Sequence, residues 1–221
     1  MDSVTFNDPG VIAISKSIIF SKHNGKEDTT FSRQWGVSAY PTMILVKTDG
    51  TELDRLIGYK SPENFIPALF NIMQNRNTLD DYLNRLASHP DSFDLMIKVA
   101  EKYQYRGQAD SAKGYYNYII ENDPENTKGY TDNSFFALGR MEQRGKNYDE
   151  AIEYFEKLEA DYPASELYED ACIYVPYIYM KTGNDKKALK LFEEFKKKFP
   201  ESNDLKWVDK QIKKIKEGKK K

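Results

Sequence analysis

Two different spacings of hydrophobic residues divide the chain. Up to about residue 75, short apolar runs alternate with polar stretches that contain Gly or Pro, which predicts short helices and strands. From about residue 78 onward, apolar residues recur three and four positions apart over long stretches, the spacing of amphipathic helices. We therefore expect a mixed α/β domain followed by an all-helical region.

Local signals predict the elements of the first part. Asp8 and Pro9 are an N-cap and a proline at the first helical position. Gly36 follows a helical pattern and is expected to adopt the left-handed conformation, while Asp49-Gly50 between two apolar runs predicts a tight hairpin. The expected elements are a helix from Pro9 to about Lys16, a buried strand over Ser17–Ser21, a helix that ends at Trp35, strands over 42–46 and 52–57, and a helix from Ser61 to about Gln74.

A repeat of about 34 residues organises the second part. Aligned on Ala112, Ala151 and Ala188, each copy has a large apolar residue four positions later and a proline twelve positions later. The small residue lets two helices approach closely, and the proline ends the second helix because it has no N–H to donate. In the third copy Pro176 lies inside the first helix, where it is expected to cause a kink.

The residues around Pro41 resemble part of a known fold. Tyr40, Pro41 and Thr42 introduce an apolar strand, a hairpin follows, and Gly58 precedes the last helix. Together these features resemble the second half of a thioredoxin-like domain, over about Val4–Met73. The resemblance implies a cis bond at Pro41 and a substrate-binding role for Tyr40, Pro41 and Thr42, whose backbone would hold a peptide beside redox-active cysteines.

The first residues are similar to the segment that follows a Cys-x-x-Cys pair in thioredoxin-like domains of the thiol:disulfide interchange type. Met1-Asp2, Thr5-Phe6 and Asp8-Pro9 match that segment. The resemblance implies that the first strand and the cysteine pair lie upstream of residue 1, so we expect an N-terminally truncated domain. A central strand without its neighbour would leave buried backbone groups unpaired, at about 1–3 kcal/mol each.

The helical part resembles tetratricopeptide (TPR) repeats, most clearly at Leu138-Gly139 with Ala151, Phe155 and Pro163. The fold class is therefore an α/β thioredoxin-like domain followed by an all-α TPR solenoid. The expected divisions are a thioredoxin-like domain over 1–76, a linker helix over 77–92, repeats over 93–126, 132–165 and 169–202 within 93–204, and a capping helix with a basic tail over 205–221. The resemblance implies a peptide-binding groove that contains Asn133, Phe136, Arg140, Gln143, Arg144, Ile173 and Tyr177.

Composition and charge limit the kinds of ligand and site that the chain is expected to have. The formal net charge of −2 argues against a nucleic-acid-binding protein, and no apolar run reaches the roughly 20 residues of a membrane helix. The single cysteine, Cys172, excludes an intrachain disulfide and is expected to be a buried structural thiol. His23 and His89 lack metal-ligand spacing with each other or with Cys172. No catalytic residue, metal or cofactor is expected in these 221 residues.

Two function classes remain open. In the first, a longer form of the protein is a thiol–disulfide oxidoreductase that acts on protein clients, and the repeats dock the client or a partner. In the second, a degenerate thioredoxin-like domain and the repeats form a non-catalytic interaction scaffold. A third hypothesis makes the repeats part of a larger envelope assembly. A signal peptide upstream would indicate the periplasm and its absence the cytoplasm, and oligomeric state is left open.

Overall fold

The computed structural model describes residues 3–218, so the Met1-Asp2 match and the last three lysines of the basic tail lie outside the described residues. After a short 3-10 helix, Thr5–Asn7, the elements follow in chain order. They are α1 (Pro9–Ile14), α2 (Thr29–Gln34), β1 (Thr42–Val46), β2 (Glu52–Ile57), α3 (Pro62–Met73), α4 (Leu79–Ser88), α5 (Phe93–Tyr105), α6 (Ala109–Asn122), α7 (Thr131–Gly145), α8 (Tyr148–Asp161), α9 (Tyr168–Lys181), α10 (Asp185–Lys198) and α11 (Leu205–Gly218).

The described chain divides into two compact units, one up to Tyr115 and one from Tyr116 on. The first holds both strands and helices α1 to α5, and the second holds α7 to α11. None of the described helices is both long and apolar enough to cross a membrane.

Helix caps in the first unit form where the sequence predicts them. The Asp8 carboxylate accepts hydrogen bonds from the backbone N–H groups of Gly10 (2.8 Å) and Val11 (3.2 Å), which satisfies donors that the first turn of α1 leaves unpaired. Asp28 caps α2 in the same way. Gly36 follows α2 with a φ of 58°, the left-handed conformation expected after a helix.

The hairpin also forms as predicted. β1 and β2 pair antiparallel, with Thr42 opposite Ile57 and Leu45 opposite Asp54, and the register shifts between Leu45 and Val46. Gly50 adopts a φ of 85° in the connecting turn, which only glycine occupies without a steric penalty. Within the described residues, these are the two strands of the only sheet.

The predicted strand over Ser17–Ser21 is wrong. Ser17 lies in a turn in which its N–H donates to Ile14 O, and the residues after it have no regular structure. Ile18 packs against the core, whereas the side chain of Ile19 is 97% exposed. A strand needs a hydrogen-bonding neighbour, and β1 pairs with β2 alone among the described residues. The apolar run identifies a hydrophobic segment, but it does not supply that neighbour.

The core of the first unit lies between helix and hairpin. Val11 of α1 and Phe65 and Leu69 of α3 are buried together, and Met43 of β1 and Leu56 of β2 pack against them. The amphipathic face of α3 therefore covers one face of the hairpin, as expected for a helix packed on a sheet.

A network of charged side chains fastens α5 to β2. Asp54 is fully buried and forms ion pairs with Lys102 and with Arg106, the latter 3.6 Å away. Arg55 binds the Glu52 carboxylate through two hydrogen bonds of 2.8 and 2.6 Å. Lys102 Nζ also hydrogen-bonds to Asp54 Oδ2, whereas the buried atoms Asp54 Oδ1 and Arg106 Nε have no hydrogen-bond partner among the described residues, so this network is only partly satisfied.

Both arginines of this network also bind backbone carbonyls. Arg55 donates to Tyr105 O at 2.8 Å, and Arg106 donates to Leu53 O at 3.1 Å. The end of α5 thus lies against β2. The first helix of the repeat region is therefore structurally part of the thioredoxin-like unit.

The second unit is a stack of antiparallel helix pairs with the contacts that the repeat predicts. A Cβ on Gly139 would lie 2.9 Å from the Phe155 ring, so only glycine fits where α7 and α8 meet. Ala151 of the second copy and Ala188 of the third copy occupy equivalent positions of the repeat, and both are fully buried. α9 continues across Pro176, which is buried inside the helix.

Helix α11 caps this stack. Its apolar face, formed by Val208, Ile212 and Ile215, joins Phe192 and Phe195 of α10 in one buried cluster. Its lysines lie on the opposite face, which is the polar exterior that the end of a repeat array requires.

Candidate functional site

The loop before β1 places Tyr40 at the surface. The Tyr40–Pro41 peptide bond is cis, and the side chain of Tyr40 is 55% exposed. Its hydroxyl donates to Gly25 O at 3.0 Å and lies 3.3 Å from Ser32 Oγ, which ties the loop to the segment before α2 and to α2 itself. The Pro41 carbonyl accepts from the N–H of Gly58 at 2.8 Å.

Tyr40 and Thr42 differ in how their polar groups are used. The Thr42 hydroxyl donates to Ala39 O at 2.7 Å and so stabilises the bend before β1. No described residue hydrogen-bonds to the backbone N–H or carbonyl of Tyr40. Tyr40 is thus an exposed residue of this loop whose backbone groups make no hydrogen bond to the described residues.

Cys172 is buried in the second unit, as expected. Its Sγ lies 3.6 Å from Lys198 Nζ. Burial, followed by the charge of Glu159, raises the pKa of the thiol to about 12. Since the thiolate is the nucleophilic form, this cysteine is chemically inert near neutral pH.

Arg140, a residue of the predicted groove, contacts Tyr174 of the third repeat. The Arg140 guanidinium lies 4.5 Å from the centroid of the Tyr174 ring, and its Nη1 hydrogen-bonds to the Tyr174 hydroxyl. The Tyr174 ring stacks on Phe155 at 4.9 Å, and Phe136 contacts both rings edge-on. Aromatic packing between repeats therefore holds Arg140 in place.

Three cations of this face have no carboxylate partner. Arg140 and Arg144 are one helical turn apart on α7, and Lys181 is at the end of α9, where its Nζ lies 5.3 Å from the Tyr177 ring centroid. Among the described residues none of the three forms an ion pair. The groove therefore has positive charge that its own chain does not neutralise.

One acidic residue, Asp170, lies beside this positive region. Burial raises its pKa, as do the neighbouring charges of Asp204 and Glu169, while the charge of Arg140 acts in the opposite direction. Asp170 is therefore a negative charge close enough to Arg140 to interact with it, although the two do not form an ion pair.

The other predicted groove residues are less uniform. Asn133 is exposed, Gln143 is partly buried, and Tyr177 contacts Trp207 with 5.7 Å between ring centroids. Ile173 requires a correction, because it is buried in the cluster that contains Phe192 and Val208. It corresponds to Phe136 in the repeat, but α11 covers this position in the third copy, so Ile173 is not accessible to a ligand.

The sequence prediction missed Tyr174, Lys181 and Trp207. Lys181 stands seven residues before Ala188, just as Arg144 stands seven before Ala151, so the repeat register could have identified it. Tyr174 lies three residues before Tyr177 and so shares its helix face. No sequence signal indicated that α11 would bring Trp207 to Tyr177.

Residues 3–218 contain no cluster of His, Cys, Asp and Glu side chains that would hold a metal ion. The candidate chemistry is thus peptide recognition by charge, aromatic rings and backbone groups.

Comparison with known proteins agrees with this division of the chain. A family model described as a thioredoxin-like domain matches residues 6–72, and the model of YfiO, described as an outer membrane lipoprotein, matches residues 128–209. The chain joins a thioredoxin-like domain to a TPR-like helical region. No curated protein gives a significant match.

The crystal structure of MamA is similar to this chain. The TM-score is 0.53 at 17% sequence identity, and the alignment covers 73% of this chain and 86% of MamA. At this identity the similarity supports the fold alone. The thioredoxin-like and TPR-like architecture is that of a protein-interaction module.

Proposed function

We propose that this thioredoxin-like/TPR protein binds an acidic peptide segment of a client protein in the groove of repeats two and three. The observation that carries the proposal is the pair Arg140 and Arg144, which lie on one helix face without a carboxylate partner. Side chains one helical turn apart lie about 5–6 Å from each other, so the two arginines can bind two carboxylates of one flexible peptide. Hydrogen bonds between charged groups are about twice as strong as neutral ones.

The fixed position of Arg140 supports this proposal. A long side chain loses conformational freedom when it binds a ligand, and that loss weakens binding by about 0.5–1.5 kcal/mol. Arg140 is already ordered by its contact with Tyr174, which itself stacks on Phe155. Less entropy is therefore lost when a carboxylate binds.

We further propose that the exposed Tyr40 loop contacts the backbone of the same or another client segment. The free N–H and carbonyl of Tyr40 are suited to an extended peptide, which pairs through its main chain. This role for Tyr40, Pro41 and Thr42 also follows from the resemblance to thioredoxin-like domains.

A charge-removal experiment tests the groove. The probe is a twelve-residue Gly/Ser peptide with an Asp-Glu pair and, four positions later, a Leu, labelled with fluorescein for anisotropy. Arg140→Gln with Arg144→Gln should weaken binding at least about tenfold, because two charge-assisted hydrogen bonds are lost. The wild-type protein should bind an Asn-Gln version of the peptide as weakly as the double variant binds the acidic probe. Added salt should weaken binding of the acidic probe to the wild type, because salt screens charges.

A matched variant controls for overall charge. Lys186→Gln with Lys197→Gln removes two positive charges from exposed positions of α10 in the same unit. Binding of the acidic probe should change less than about twofold, since these lysines lie on another helix. Equal losses in both double variants would mean that net charge, and not the groove, attracts the peptide.

A second candidate function is thiol–disulfide exchange by a longer form of the protein. The resemblance that favours it includes a family-model match over residues 6–72. In such a form, a thiolate of an upstream Cys-x-x-Cys pair would attack a client disulfide, form a mixed disulfide and release one client thiolate, and the second cysteine would then release the other.

Insulin reduction by dithiothreitol separates the two functions. Residues 1–221 should give only the uncatalysed rate, because Cys172 is the single cysteine and its pKa is raised to about 12. A longer form that carries the cysteine pair should accelerate the reaction. Acceleration by residues 1–221 themselves would contradict this account, and inactivity of a longer form with the pair would overturn the second candidate.

A further inference from the structure

The capping helix adds an aromatic surface to the groove of repeats two and three. Trp207, next to the buried Val208 at the start of α11, contacts Tyr177 of α9 at 5.7 Å with an interplanar angle of 49°. Its other neighbour is Phe192, which it meets edge-on at 6.1 Å. Trp207 and Tyr177 are both only partly buried, so each residue keeps part of its surface exposed to solvent.

This surface is continuous with the cationic part of the groove. Arg140 lies over Tyr174, Tyr177 follows Tyr174 by three residues on the same face of α9, and Trp207 contacts Tyr177. The Arg140 guanidinium lies 4.5 Å from the Tyr174 ring centroid, and the Tyr177 and Trp207 rings are 5.7 Å apart. With about 5–6 Å between helix residues three apart, the path is at most about 16 Å long, which an extended peptide covers in about four or five residues.

Lys181 limits what kind of ligand fits the aromatic end. Its Nζ lies 5.3 Å from the Tyr177 ring centroid and has no ion-pair partner among the described residues. Arg140 and Arg144 at one end and Lys181 at the other would repel a cationic peptide. An anionic segment with an apolar side chain is complementary at both ends.

We infer that Tyr177 and Trp207 form an apolar subsite that reads a second feature of the client, an aliphatic or aromatic residue three to five positions from its acidic residues. This inference rests on the proposed function of the groove. Arg140 and Arg144 attract the acidic residues of the client. The apolar subsite distinguishes among acidic segments, because an apolar side chain that packs against the two rings is removed from water.

The tryptophan content of the chain makes the subsite directly observable. Trp35 and Trp207 are the two tryptophans, so Trp35→Phe leaves Trp207 as the sole indole reporter. The probes are two unlabelled Gly/Ser peptides with the same Asp-Glu pair, one with Leu four positions later and one with Ser there. We expect the Leu peptide to shift Trp207 emission to the blue and to bind at least about fivefold more tightly.

A double-mutant cycle assigns the difference to the subsite. Tyr177→Ala should remove the preference for the Leu peptide over the Ser peptide. This preference is measured with two peptides on the same protein, so it does not depend on equal stability of the variants. Circular dichroism should show unchanged helix content.

The outcomes separate the two proposals. If the two peptides bind equally to the Trp35→Phe protein and Trp207 emission is unchanged, the subsite is disproved while acidic binding stands. If neither peptide binds more tightly than a Gly/Ser peptide with Asn-Gln, the proposed function fails and the subsite fails with it. A Leu preference that survives Tyr177→Ala would also overturn the inference.

Discussion

Cys172 shows how burial decides the chemistry of a single residue. Its raised pKa of about 12, caused first by burial and then by Glu159, leaves on the order of one thiol in ten thousand ionised at pH 8. We expect native protein to react with Ellman's reagent far more slowly than a free cysteine, and to react at once after unfolding in guanidinium chloride. Rapid stoichiometric reaction of the native protein would show that the thiol is exposed and activated.

Asp170 opposes the proposed ligand, so its removal should strengthen binding. Asp170→Asn should raise the affinity for the acidic probe about threefold at pH 7.5, because a negative charge near Arg140 disappears. Since the pKa of Asp170 is raised, the wild-type carboxyl group gains its proton at a higher pH than an ordinary aspartate.

The pH dependence provides a check on this explanation. As the pH falls, the wild type loses the charge of Asp170 and the difference between the two proteins should shrink. Anisotropy titrations of both proteins at a series of pH values falling from 7.5 measure this change. A difference that grows as the pH falls would contradict a charge effect of Asp170.

At the residue level, the sequence predicts the groove only where the repeat register is sufficient. Arg140 and Arg144 are found because residues four apart share a helix face. Ile173 is misassigned because the same register cannot show that α11 covers the third copy with Val208 and Ile212. The Tyr40 loop is predicted from a short run of neighbouring residues. Such a local motif depends little on contacts with residues that are distant in the sequence.

At the level of secondary-structure elements, the turn after α2 and the turn after α5 meet at two glycines. A Cβ on Gly36 would lie 2.3 Å from the Arg106 carbonyl oxygen, and Gly36 has a φ of 58°. A Cβ on Gly107, just after the end of α5, would lie 3.2 Å from the Gly36 Cα. The backbone that follows α5 therefore fits against this turn only when residue 36 has no side chain.

Gly36→Ala should destabilise the first unit by about 2–4 kcal/mol, from left-handed strain together with the clash. Gly50→Ala is the matched control, because Gly50 has a φ of 85° but no atom within 4 Å of its Cβ position, and it should cost about 1–2 kcal/mol.

Urea unfolding measured by Trp35 emission, in a Trp207→Phe background, reports on this unit alone. Losses of equal size for the two glycines would show that the approach of α5 to Gly36 does not contribute to stability.

Helices and the hairpin are predicted better than the isolated strand, for a physical reason. Helices satisfy their backbone hydrogen bonds locally, and the Asp49-Gly50 turn brings its two strands together. The Ser17–Ser21 run has strand-like composition, but pairing depends on a distant segment, and the structure leaves Ile19 exposed. The charged contacts between Asp54 and α5 were likewise invisible in the sequence, because they join residues about fifty positions apart.

At the scale of the whole molecule, the fold class follows from the sequence because each half has its own period and motifs. The boundary between the two units does not follow from the sequence, because the first repeat helix packs on β2 and the compact units divide between Tyr115 and Tyr116. The matches of two family models, over 6–72 and 128–209, fall within these two units. The molecule therefore joins two parts that we propose to contact clients in different ways.

The most direct test of the central proposal is to locate a bound acidic peptide by photo-cross-linking. The Asp-Glu/Leu probe, with a benzoylphenylalanine next to the acidic pair, is irradiated with the wild-type protein and the adducts are located by mass spectrometry. The groove proposal predicts adducts on α7 and α9 that are lost in the Arg140→Gln/Arg144→Gln protein. Adducts mainly on α8 or α10, or adducts that persist in that variant, would contradict it.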